Sequence, residues 1–117
     1  MTKRARQIGE ATGARITVSN DLDDANGADV LYTDVWASMG QEDEVKARKR
    51  IFQAYRIDAD TMQRADSDAI ILHCLPAHYG DEIDYATSRL PNSALFDQAE
   101  NRLHAQKALL LHLLGRA

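Results

Sequence analysis

The 117-residue sequence predicts an α/β fold, with an open parallel sheet of about four strands and helices on both faces. Three observations predict it. Short apolar runs rich in β-branched residues alternate along the chain with longer stretches of helical periodicity. Glycines stand where predicted helices should stop, at Gly13, Gly27 and Gly115. The composition, 44% hydrophobic and 27% charged with a net charge of −4, is that of a soluble globular domain.

Taken in order, residues 3–12 read as a helix ended by Gly13, and 14–18 (Ala-Arg-Ile-Thr-Val) as a strand. Ser19 or Asn20 caps a short helix near 21–26, closed by Gly27. Residues 29–33 read as a second strand. Residues 41–55 form a helix with apolar positions at Val45, Ile51, Phe52 and Tyr55, and 58–64 a short helix. Residues 69–72 form a third strand and 93–96 a fourth. A closing helix spans 98–114, with Ala99, Leu103, Leu110 and Leu114 on one face. The chain starts on a helix and shows few strands, so it reads as a partial doubly wound, Rossmann-like domain. It contains no internal repeat or interdomain linker, and its length suits a single domain.

The acidic balance argues against a nucleic-acid or anionic-membrane partner, which would select a basic face. The apolar run Leu109-Leu110-Leu111 is broken by His112, far short of a membrane span. The start, MTKRARQIGE, carries charge and no apolar core, so it does not read as a signal peptide. Cys74 is the one cysteine and has no internal disulfide partner; a reducing cytoplasm is the expected location.

Ligands of open α/β sheets bind at the carboxyl ends of the strands, which singles out three segments. In the first, Ser38 and Gln41 have capping-box spacing, and the free N–H groups of a helix start suit an anion. Asp34 lies just upstream. Together they match a zwitterionic amino acid, the ammonium on Asp34 and the carboxylate near Ser38 and Met39; the plainer alternative is a helix cap and a turn cap. In the second, His73-Cys74-Leu75-Pro76 follows a strand, with His78 close behind. His73, Cys74 and His78 offer metal donors, but their spacing matches no usual zinc pattern, so no metal is expected. A lone cysteine is most often a small packing residue, although this one sits where a pocket would open. In the third, Asp97 and Glu100 have capping-box spacing, and Arg102 is placed to offer a planar fork to an anion or simply to face solvent.

"DVLYTDVWASMGQE", "HCLPAH" and "FDQAENRLHAQKALLLHLL", in that order, resemble the carboxy-terminal, amino-acid-binding half of ornithine carbamoyltransferases. The resemblance covers essentially the whole chain. It implies transfer of a carbamoyl group from carbamoyl phosphate to L-ornithine, giving L-citrulline and phosphate in arginine metabolism, with no cofactor. It implies that Asp34, Ser38 and Met39 bind ornithine and that Cys74 lies by the reacting amine. Cys74 and Leu75 would hold the carbamoyl group through their backbone, and Arg102 would reach carbamoyl phosphate oxygens. Catalytic roles therefore fall on Cys74, Asp34 and Arg102, with His73 in support and a cis Leu75–Pro76 bond. The resemblance also implies a homo-oligomer, a trimer in the complete enzyme.

Two features depart from the family pattern. Tyr79 stands where arginine is usual, and no Ser-x-Arg-Thr-Arg phosphate loop occurs in the sequence. The resemblance implies that the carbamoyl phosphate domain, an ornithine-binding asparagine and a first strand lie upstream of Met1. The isolated chain is then expected to be inactive, holding half of a site. Two alternatives stand beside this reading: a carbamoyltransferase for another amine such as putrescine, and a non-catalytic amino-acid-binding or subunit-pairing module.

Overall fold

The computed structural model describes residues 1–36 and 42–116, with side chains between 42 and 46 excluded. Its regular elements are α1 (Thr2–Thr12), β1 (Val30–Thr33), α2 (Glu42–Phe52), α3 (Ala59–Arg64), β2 (Ile70–His73) and α4 (Leu95–Leu113), with short 3-10 turns at Leu22–Ala25, Gln53–Tyr55 and Thr87–Arg89.

β1 and β2 are adjacent and parallel, with Val30 opposite Ile70 and Thr33 opposite His73. A parallel pair needs a crossover connection, and the segment containing α2 and α3 supplies it. Side chains alternate across a strand. Leu31 and Ile71 face inward, while Val30, Tyr32 and Ile70 are exposed on the other side. The inward pair meets Ile57, Ile83 and Leu95 in one buried cluster, flanked by Met62, Ala28 and Ala65. His73 lies two residues beyond Ile71, on the same face, and is buried for that reason.

The sheet has two strands among the described residues, both anticipated from sequence. The other two predicted strands differ. Residues 14–18 run without strand pairing. Instead this segment folds back over α1, bringing the Ala14 carbonyl so close that a Cβ on Gly9 would stand 2.5 Å from it. Only glycine admits that approach. Residues 93–96 touch β2 for a single step: the Ala94 N–H donates to the Ile71 carbonyl and the Ile71 N–H to the Asn92 carbonyl. The chain then turns into α4, which starts at Leu95 rather than at 98. Ala94 is consequently the N-cap, and Asp97 lies inside the first turn. Its charge still favours the positive helix end, but the expected Asp97–Glu100 capping box does not form.

The apolar face read on the closing helix lies open to solvent. Leu103, Leu110 and Leu114 are 66%, 60% and 71% exposed, because the helix meets the sheet through its first turn at Leu95. Gly13 ends α1 with φ +78°, as read, and the short helix read over 58–64 forms as Ala59–Arg64, with Asp58 capping it by accepting the Thr61 N–H at 3.0 Å.

Candidate functional site

The parallel register carries the site. One residue past β1 stands Asp34, and one residue past β2 stands Cys74, so the two continue the ladder side by side. The Cys74 thiol donates to Asp34 Oδ1 at 3.0 Å, and the Val35 N–H donates to the same oxygen at 2.7 Å. The thiol bond, helped by the backbone N–H, holds the Asp34 carboxyl below the usual carboxylate range even though burial opposes this. The same bond pushes the Cys74 thiol up, with burial and the carboxylate charge adding to it. At neutral pH the pair is therefore a thiol beside a carboxylate: one charge, with acceptor capacity left for an incoming cation.

Behind this pair the chain makes a tight connection. The Leu75–Pro76 bond is cis, as the resemblance implies, and Leu75 has φ +54°. A leucine in that left-handed region is strained and needs support from its surroundings. His73 gives it: the Leu75 N–H donates to His73 Nδ1 at 2.8 Å. With Nδ1 accepting, a neutral imidazole carries its proton on Nε2, which faces Glu82 Oε1 at 3.1 Å. Glu82 is fully buried, and the same oxygen accepts the His78 N–H at 2.7 Å.

Asp34, His73 and Cys74 bring possible donor atoms within 4.8 Å of one another. Both His73 nitrogens are already engaged inside the fold, so a metal there would have to break the Leu75 or the Glu82 contact. The donor set is poorly matched to a metal on that ground.

Of the residues singled out from sequence, the structure thus joins Asp34, Cys74, Leu75 and His73. Ser38 and Met39 lie outside the described residues. Arg102 is exposed in the second turn of α4, and among the described residues no hydrogen bond or ion pair links it to the Asp34–Cys74 pair. Glu82 is the residue that sequence reasoning missed. Within Asp81-Glu82-Ile83-Asp84 it looks like part of a solvated acidic run, and no local spacing marks it.

Residues 1–113 match the family model described as the Asp/Orn binding domain of aspartate/ornithine carbamoyltransferase. An ornithine carbamoyltransferase of Acidothermus cellulolyticus is 56% identical over 115 residues, covering 97% of this chain and 37% of that protein. Among solved structures, the ornithine carbamoyltransferase of Pyrococcus furiosus superimposes with a TM-score of 0.82 at 45% identity, over 90% of this chain and 34% of that one. The anabolic ornithine carbamoyltransferase of Campylobacter jejuni gives a TM-score of 0.87 at 35% identity, over 98% of this chain and 38% of that one. The chain thus spans somewhat over a third of the length of these relatives, and within that span both sequence and backbone agree. On the match over residues 1–113, the chain belongs to the aspartate/ornithine carbamoyltransferase family, in the portion that forms its amino-acid-binding domain.

Proposed function

We propose that these residues form the ornithine side of an ornithine carbamoyltransferase active site, with the carbamoyl phosphate domain supplied by the remainder of a full-length enzyme. The observation that carries the reading is the Asp34–Cys74 hydrogen bond, 3.0 Å long, across the carboxyl ends of two adjacent parallel strands. A carboxylate kept ionised there suits the ammonium of an amino acid, and the adjacent protonated thiol is polar without adding a second negative charge.

In this reading Asp34, Ser38 and Met39 hold ornithine with its side-chain amine beside Cys74. The deprotonated amine attacks the carbamoyl carbon, and phosphate leaves as the tetrahedral intermediate collapses. Cys74 and Asp34 orient the amine and help remove its proton; the thiol is not a nucleophile. The Leu75 N–H is occupied by His73, so Leu75 would act through its carbonyl oxygen on the carbamoyl NH2. Arg102 would neutralise charge on the phosphate side, brought there by the second substrate. Most of the acceleration would come from alignment of the two substrates and from donors preplaced around the developing oxyanion. A homo-oligomer in the cytoplasm, with no cofactor, belongs to the same reading.

The test completes the chain with the missing portion of the Acidothermus cellulolyticus relative and compares amines as acceptors. Citrulline from L-ornithine, with putrescine a poor substrate, is expected. Product from putrescine alone would favour the other acceptor class, and no product from either amine would contradict a catalytic role.

A further inference from the structure

We propose that Glu82 is a positioning residue for the candidate site, setting the His73 tautomer and thereby the backbone that carries Cys74 and Leu75. The proposal rests on the functional reading only for what the site binds; the geometry stands apart from it.

Glu82 is anchored from behind. Its carbonyl accepts the Ile57 N–H at 2.9 Å, and the next residue, Ile83, is buried in the core. Ile83 points into the apolar cluster, whereas the Glu82 side chain reaches His73 at the end of β2. Its carboxylate is fully buried, and a buried carboxylate is costly unless its hydrogen bonds repay the lost water. Oε1 accepts from both His73 Nε2–H and the His78 N–H, so one atom ties the two ends of the His73–His78 connection together. Among the described residues Oε2 is buried without a hydrogen-bond partner, and His78 Nδ1 lies 4.0 Å from it. A fold under selection for stability alone would do better with an apolar side chain here. The arrangement makes sense if its use is to hold one ring orientation.

The consequence runs through three bonds. Glu82 requires a proton on His73 Nε2. That leaves Nδ1 as the acceptor for the Leu75 N–H, which fixes Leu75 at its positive φ. Cys74 lies between the two fixed residues and is thereby presented to Asp34. If Glu82 is removed, Nε2–H loses its buried acceptor, and the gap to the Nδ1–H tautomer, whose proton would oppose the Leu75 N–H, narrows.

The experiment uses the 117-residue chain, in which Cys74 is the sole thiol. Long-range nitrogen–proton NMR spectra assign the His73 tautomer, and iodoacetamide alkylation reads the Cys74 environment. The native chain should show Nε2–H, and Glu82→Gln should keep it, because the amide oxygen can replace Oε1. Glu82→Ala should populate Nδ1–H and change the alkylation rate by about fivefold, the scale of one lost hydrogen bond. Native Nδ1–H, or a Glu82→Ala chain with unchanged tautomer and rate, would overturn the proposal. If Glu82→Ala fails to fold, Nδ1–H in the native chain, or its appearance in Glu82→Gln, would still overturn the proposal. Neither readout needs ornithine, so a failure to bind that amino acid counts against the functional reading alone.

Discussion

Asp34 and Cys74 shift each other in opposite directions through one hydrogen bond. Cys74 is held protonated by the carboxylate it donates to, so its raised pKa favours the folded state below the ordinary thiol range. That contribution is lost as the pH rises through the raised value. Asp34→Asn removes the negative charge and the best acceptor. The pH midpoint for alkylation of Cys74 by iodoacetamide should fall, and the rate near pH 8, about half a unit below an ordinary thiol pKa, should rise. An unchanged profile would contradict the pairing. Both residues were legible in the sequence because each directly follows an apolar run, and strand ends are where such folds place ligands. Glu82 was not legible, because its burial depends on the Ile57–Ile83 bridge, a contact made across 26 positions that no local pattern encodes.

At the scale of elements, the clearest local signal is the cap on α3. Asp58 accepts the Thr61 N–H at 3.0 Å and pairs with Arg56 at 3.2 Å. Burial raises its pKa, but the Thr61 and Arg56 hydrogen bonds together outweigh burial, and the carboxyl lies below its usual range. A depressed carboxylate stabilises the fold above the ordinary carboxylate range, and the benefit is lost as pH falls through the folded value. Asp58→Ala should cost about 1 kcal/mol in urea unfolding, whereas Asp58→Asn keeps most of the cap and flattens the decline below about pH 4. An alanine variant as stable as the native chain would contradict this. Helix positions were read well because periodicity and glycine stops are local; the N-caps were not, since α4 begins at Leu95 and Asp21, rather than Ser19 or Asn20, caps the 3-10 turn at Leu22–Ala25. The strand expected over 14–18 failed because Ile16 and Val18 supply a pattern but no neighbouring strand, and the segment packs on α1 instead. The one expected over 93–96 failed because its single pairing step with Ile71 gives way at once to the α4 start.

Over the whole molecule, the candidate site occupies one end of a small parallel sheet, and the long helix α4 carries its leucines beyond Leu95 outward. The fold class was legible because parallel strands and helices alternate. The covering of α4 was not, since an amphipathic stripe shows that a face seeks burial without showing what buries it. The family match extends over nearly the whole chain, yet this span is 37% of the Acidothermus cellulolyticus protein, so the chemistry is best tested with the rest of such an enzyme present. The most direct measurement is kcat/KM for L-ornithine in the completed chain, for the native residue and for Asp34→Asn, with the 117-residue chain alone as the third sample. The predicted result is citrulline formation by the completed chain, a loss of roughly a hundredfold or more in Asp34→Asn, and no citrulline above blank from the chain alone. Activity in Asp34→Asn within about twofold of native, a difference too small for one charged contact, would contradict the assignment of this site.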